Sequence, residues 1–374
     1  MIIFWKMIFW GALFLLTGHY IGYPLFFWLI AKVKLKNKYD QKNGDFEPPE
    51  VTLIISAYNE AQVIGEKIKN SLELDYPKDK LKIVVVSDGS TDATNEIVKS
   101  FASSGVELFV VTGRLGKTNA LNEIIPKITT EIIIFSDANS MYDKSAIKLL
   151  VQHFNDPKVG AVCGELRFTK DSLETEGFYW KYEQFIKRLE SLVSTVTVFN
   201  GAIYAMRRKL HQKMCVQSSN DLQHAIQVRL QNYYSVYEPR AIAYEQSGPT
   251  ENVEFKRHVR ISSRSWKGFV ANLYVLNPFV MGSYSLQFFF RKLCRWLGPG
   301  LLLAVFISSF VLRNNSILYY YFFVIQCLAY FTAMLGGLLQ KTKLSFKLGY
   351  FLYYFFLINW ASVLGFLRFL INSD

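Results

Sequence analysis

A chain of 374 residues is long enough for one large soluble domain or for a domain joined to several membrane spans. Its composition, 51% hydrophobic and 16% aromatic with 31 Phe and 22 Tyr, exceeds what the core of a soluble domain of this length needs and points to a membrane. The formal net charge of +12 suits an anionic lipid surface or a phosphorylated substrate, while the scatter of Lys and Arg among acidic residues, with no basic helix or zinc framework, argues against a nucleic-acid partner.

In chain order, residues 1–31 come first and carry an uncharged apolar run over 7–31, long enough for a transmembrane helix. The run is too long for a cleaved leader and has no small-residue cleavage pattern before the basic stretch at 32–38. From 46 to 270 the pattern changes to short β-branched runs at 51–56, 82–87, 107–111 and 131–136, separated by helical stretches at 60–72, 92–103 and 117–127. Strands alternating with helices predict βαβ units and a mostly parallel sheet covered on both faces.

Residues 283–296 mix Phe288, Phe289, Phe290 and Trp296 with Arg291, Lys292 and Arg295, as an interfacial helix does, or the start of the next span. Residues 297–374 hold three further apolar stretches, at 297–312, 317–339 and 348–371. Lys341, Lys343 and Lys347 lie between the last two, so the positive-inside rule puts that loop, and by alternation the central domain, in the cytoplasm. The four cysteines, Cys163, Cys215, Cys294 and Cys327, form no C-x-x-C spacing and suggest neither structural zinc nor a disulfide framework.

Ligands of a parallel sheet bind beyond the carboxyl ends of its strands. Three polar turns fall there, at 56–60, 88–92 and 137–139. One such turn means little, since Asp, Ser and Gly cap helices and make turns anyway; three at corresponding ends suggest one site. Neither G-x-G-x-x-G nor G-x-x-x-x-G-K-[ST] is present, so the common dinucleotide and triphosphate loops are not supported.

Read in order, Ile54-Ile55-Ser56-Ala57-Tyr58-Asn59-Glu60, Val86-Ser87-Asp88-Gly89-Ser90-Thr91-Asp92, Gly116-Lys117-Thr118-Asn119-Ala120-Leu121-Asn122, Phe135-Ser136-Asp137-Ala138-Asn139, the segment from Phe199 to Arg208, Asn220-Asp221-Leu222 and Tyr237-Glu238-Pro239-Arg240-Ala241 form a series. It resembles the membrane-bound inverting family 2 glycosyltransferases, the group that includes the cellulose, hyaluronan and chitin synthases. The resemblance implies an α/β, Rossmann-like glycosyltransferase A-type domain with about four transmembrane helices, in a bacterial inner membrane with the catalytic domain in the cytoplasm.

It further implies a UDP-sugar donor bound by Tyr58, Glu60, Asp88, Lys117, Asp137, Arg257 and Arg260. A Mg2+ or Mn2+ ion would be held at Asp137 and Asn139, Asp221 would act as general base, and the acceptor would be a saccharide or lipid-linked one. Each residue also has a plainer reading: a turn for Tyr58 and Asp88, a helix cap for Asn139 and Asp221, and a solvated or lipid-facing stripe for Arg257 and Arg260.

Two departures stand out. The D-x-D motif of the family ends in Asn139, and its Q-x-x-R-W motif is replaced by Arg257-His258-Val259-Arg260-Ile261, which disfavours polymerisation. The apolar stretches are also fewer than channel-forming relatives carry, so a polymer reading would call for a homo-oligomer. Asn139 gives some weight to a non-catalytic membrane scaffold or synthase partner subunit instead.

Overall fold

The computed structural model describes residues 1–34, 47–169, 174–246, 251–340, 342 and 346–371; Lys341 and Lys343, on which the orientation argument leans, lie outside them. Helix α1 (Ile2–Thr17) continues through a π turn at Gly18–Gly22 into α2 (Tyr23–Lys34). Pro24 lacks the N–H that an α-turn there would use, and a π turn is a common way for a helix to absorb such a loss.

The expected alternation follows: β1 (Val51–Ala57), α3 (Ile64–Leu72), β2 (Leu81–Asp88), α4 (Thr94–Lys99), β3 (Val106–Val111), α5 (Lys117–Ile124) and β4 (Ile132–Asp137). Then come β5 (Met141–Tyr142), α6 (Ala146–Val151), β6 (Val159–Phe168), α7 (Glu174–Val193), β7 (Ile203–Arg207), α8 (Asn220–Leu230), β8 (Tyr234–Glu245) and α9 (Glu251–Val270). The chain ends in α10 (Pro278–Met281), α11 (Tyr284–Phe288), α12 (Cys294–Leu312), α13 (Ile317–Leu339) and α14 (Lys347–Ile371).

One sheet holds all eight strands in the order β3-β2-β1-β4-β7-β6-β8-β5. The pairs β1–β2, β1–β4 and β2–β3 are parallel, as is β6–β8, whereas β7 runs antiparallel to β4 and β6, and β5 antiparallel to β8. The sheet is therefore mixed. The strand-helix alternation covered only its first four strands; α7 and the loop after it deliver β7 from the opposite end.

In the parallel half β1, β2 and β4 are buried on both faces, which is why they read as near-continuous apolar runs, while β3 at the edge is partly exposed. Leu53, Ile55, Ile83 and Val85 join a core with Ile64 and Ile68 of α3, while Ile54, Val84 and Val86 pack with Leu121 of α5 and Val228 of α8 on the other side. Each such fully buried side chain contributes about 1.5–3 kcal/mol. With both faces covered, the only polar openings left to these strands are at their ends.

Four helical stretches are long and apolar enough to cross a membrane: Ile2–Lys34, Tyr284–Leu312, Ile317–Leu339 and Lys347–Ile371. Residues 284–293 run without a break, through a π turn at Phe289–Leu293, into α12. A buried charge cluster joins this stretch to the domain. Arg291 pairs with Glu183 and, at 3.1 Å, with Glu190, Arg295 pairs with Glu183 at 2.8 Å, and Tyr23 donates to Glu190 at 2.8 Å.

Candidate functional site

The turns after β1, β2 and β4 meet at one end of the sheet, as the polar segments suggested. The first two are stitched together: Asn59, at φ 52°, accepts from the Thr91 amide at 2.8 Å, the Glu60 amide donates to Thr94 Oγ1 at 2.9 Å, and the Ala61 amide donates to Asp92 at 3.1 Å. Gly89, at φ +69°, sits where a Cβ would lie 2.5 Å from the Gly113 carbonyl, so only glycine lets the β2 turn approach the 113–116 loop.

Asp88 holds that loop. Its carboxylate accepts from the amides of Leu115 at 3.0 Å and Gly116 at 2.8 Å, and only 7% of the residue is exposed. Gly116, at φ +94°, then starts α5 and aims Lys117 inward. Tyr58 is half-buried, with the Arg114 guanidinium 4.1 Å from its ring centre. An Asx turn does occur here, but at Asp92, which accepts from the Thr94 amide at 3.0 Å.

At the centre, Lys117 pairs with Asp137 at the end of β4 and donates to the Gly201 carbonyl at 3.5 Å. A Cβ on Gly201 would lie 4.0 Å from Cγ of Asp221. Residues from α5, β4, the loop before β7 and the first turn of α8 thus converge. The residue flanking α8 is Ser219, and no side chain caps that helix; the Asp221 carboxylate is half-buried and has no hydrogen-bond or ion-pair partner among the described residues.

Asn139 is exposed and likewise caps nothing, since α6 begins only at Ala146 after Ser145. Around Asp137 lies a surplus of carboxylate. Burial, and then the charges of Asp137 and Asp92, raise Glu60 above the usual range. Burial and Asp137 do the same to Glu245 at the end of β8, which accepts from the Ser140 hydroxyl. Such mutual repulsion is what a cation relieves.

The described residues contain no group of three or more His, Cys, Asp or Glu side chains able to hold a metal unaided. One half-exposed carboxylate and one free amide oxygen fit a divalent ion that arrives with a diphosphate, which supplies the remaining oxygens. They do not fit a metal bound alone.

Helix α9 closes the crevice with arginines. Arg257 lies 3.8 Å from Glu245 and 3.6 Å from Glu254, on the rim with partners of its own; Arg260 is exposed. The arginine brought deepest is Arg264, half-buried, with its guanidinium 4.0 Å from where Gly116 would carry a Cβ. Burial and the Arg260 charge lower its pKa, against the opposing pull of Asp221 and Asp88. Sequence reasoning missed Arg264, although it follows Arg257 and Arg260 on one helical stripe at seven and four residues.

Beneath the crevice, fully buried Lys67 of α3 donates to the Ser140 carbonyl and lies 3.9 Å from the Tyr142 ring centre. Burial pushes its pKa down to about 7, against the charges of Asp137 and Glu245. Nothing in sequence distinguishes it from Lys69, two residues on.

Comparison with known proteins adds independent findings. Residues 52–215 match the family model described as Glycosyl transferase family 2. A probable glycosyltransferase, YdaM of Bacillus subtilis, is 26% identical over 321 residues, covering 77% of this chain and 73% of the relative. A poly-beta-1,6-N-acetyl-D-glucosamine synthase of Staphylococcus epidermidis is 25% identical over 265 residues, covering 64% of this chain and 62% of the synthase; the chain thus spans less than two thirds of that synthase's length. Among solved structures, the mannosyltransferase PcManGT from Pyrobaculum calidifontis, in complex with GDP-Man and Mn2+, aligns with a TM-score of 0.72 at 22% identity, over 98% of this chain and 100% of that one. At that identity the likeness concerns the fold.

Proposed function

We propose that this nucleotide-sugar-dependent glycosyltransferase, whose Glycosyl transferase family 2 domain spans residues 52–215, moves a sugar from a UDP-sugar to a hydroxyl of a saccharide or membrane-lipid acceptor, with inversion, in cell-surface polysaccharide or glycolipid synthesis. One observation carries the reading: an Asp221 carboxylate with no partner among the described residues lies across Gly201 from the Lys117–Asp137 pair.

In this reading the base lies by Tyr58 and Asp88. Lys117 and Arg264, with Arg260 at the rim, face the diphosphate, where a cation about 4 Å from an anion gains roughly 4 kcal/mol at an effective dielectric near 20. Glu60 and Arg257 frame the edges. A Mg2+ or Mn2+ ion at Asp137 and Asn139 would neutralise the departing diphosphate.

Asp221 takes the proton of the acceptor hydroxyl. The acceptor oxygen bonds to the anomeric carbon from the face opposite the diphosphate, the bond from that carbon to the diphosphate oxygen breaks, and the nucleoside diphosphate leaves. No covalent intermediate is required. The membrane arrangement we favour places the domain in the cytoplasm: Lys32, Lys34, Arg291, Lys292, Arg295 and Lys347 flank the domain ends of the apolar helices, against Lys6 and Arg313 at the far ends of the first three.

The test is a screen of UDP- and GDP-sugars with Mg2+ or Mn2+ on the purified full chain in detergent, reading released nucleoside diphosphate. Metal-dependent release from a UDP-sugar is expected. Preference for a GDP-sugar would remove Asp88 from base recognition, and release from no donor would leave the scaffold reading.

A further inference from the structure

A cavity of about 410 Å3 opens where α9 meets the apolar helices, a size that encloses a small ligand or one end of a larger one. Helix α9 lends it Ile261, Ser262 and Ser265. Ile261 and Ser265 lie on the helical face next to the Arg257, Arg260 and Arg264 stripe, roughly 70–110° away around the axis, and Ser262 lies on the side turned away from it. The donor crevice and the cavity therefore share α9 as a wall.

The far walls are aromatic, with Tyr20 from the first apolar helix, Trp296 from α12 and Phe355 from α14. Between them sits a cluster of charges, in which Arg291, Lys292 and Arg295 lie by Glu183 and Glu190. Arg291 is engaged by both carboxylates and Arg295 by Glu183, which leaves the Lys292 ammonium lining the cavity without a hydrogen-bond or ion-pair partner among the described residues. His258 adds no charge, since burial and the cations of Arg295 and Arg257 push it down to about 4.

We propose that this cavity holds an anionic membrane lipid, one whose headgroup phosphate carries no compensating cation, bound by Lys292 beside Arg295, with the first part of the hydrocarbon chain along Tyr20, Trp296 and Phe355. A lysine head group without a protein partner among the described residues, beside Arg295 in a largely apolar cavity, suits one anion attached to an apolar body, and the ends of membrane-length helices are where a lipid is supplied. A headgroup against Ser265 sits about 100° around α9 from Arg264, on the side from which a sugar or hydroxyl carried beyond the phosphate would approach the donor crevice. Calling this lipid the carrier of the acceptor rests on the transfer reading; the binding itself does not.

The experiment is native mass spectrometry of the full chain in detergent with phosphatidic acid, with phosphatidylcholine, and with phosphatidic acid plus excess inorganic phosphate. Expected is one phosphatidic acid retained in preference to phosphatidylcholine and not displaced by inorganic phosphate. Lys292→Gln and, by filling the cavity, Ser265→Trp should each weaken retention roughly tenfold or more, the scale of one lost charge-assisted bond, with unchanged Tm showing that the variants fold.

Equal retention of both lipids, displacement by free phosphate, or parent-like retention by a folded Lys292→Gln variant overturns the site; that last variant decides if Ser265→Trp does not fold. Selective lipid retention without sugar release from any donor would sink the transfer reading and leave this site standing, and transfer without selective retention would do the reverse.

Discussion

At the seam between the domain and the apolar helices, the Arg291 guanidinium is 1% exposed and meets two carboxylates, one 10% and one 1% exposed. In the crevice, Asp137 is 36% exposed and has one lysine, while Asp221 and Asn139 have no partner among the described residues. The first arrangement pairs a buried cation with buried carboxylates and fixes one body to another; the second leaves carboxylate and amide oxygens open to be completed by a substrate. Ionic groups that are satisfied hold structure, and those left open at strand ends are where chemistry is available.

The sharpest way to break that contrast is at Asp221. Asp221→Asn should lower turnover by about 10² to 10⁴ while Tm and donor binding stay at parent values, because the carboxylate has no partner among the described residues. A turnover equal to the parent's removes Asp221 from the mechanism, and a large fall in Tm makes it structural.

Arg291→Met should behave oppositely. Leaving Glu190 buried without its cation, and Glu183 with Arg295 alone of its two arginines, costs about 3–5 kcal/mol, read as a fall in Tm and loss of soluble protein in detergent. A variant as stable as the parent would show that the seam is held by apolar packing alone.

How far the sequence foretold this contrast depended on how local each feature is. The β-branched runs at 51–56, 82–87 and 131–136 were legible because strands buried on both faces must be apolar throughout, and the turns holding Asp88 and Asp137 stood out as polar residues where such runs stop, whereas Asp221 was marked only by the resemblance of Asn220-Asp221-Leu222 to a family motif. The direction of β7 was not legible, since it depends on where α7 delivers the chain. Arg264 was half-legible from its spacing on α9. Glu245 and Lys67 were not: α3 reads as amphipathic with several lysines, and only the turn at Ser140 folding over it buries one of them.

Lys67 probes the contrast from beneath. It is as buried as Arg291 but has only a carbonyl and a ring for company, so its folded pKa of about 7 lies below the ordinary lysine value. The unfolded chain then binds more protons than the folded one between about pH 7 and the ordinary lysine pKa near 10.4, so stability should rise with pH across that window and the penalty should be fully present below it. Lys67→Met should flatten this rise in Tm. An equal rise in the variant would place its origin in other groups.

The smallest expected effect is at Asn139. With Asp137 shared by Lys117 and an uncharged amide at the other position, the chain contributes little negative charge to a divalent ion, and the diphosphate must bring the rest. Asn139→Asp adds one carboxylate at an exposed position that bonds nothing else, so folding should be untouched. The concentration of Mn2+ giving half-maximal sugar release should fall roughly tenfold, since ligand charge sets affinity in oxygen sites of this kind. The gain should be largest at low donor concentration, where the ion cannot rely on arriving with the diphosphate. A half-saturating Mn2+ concentration that does not move would mean that residue 139 stands outside the coordination sphere and that Asp137 alone anchors the ion from the protein side.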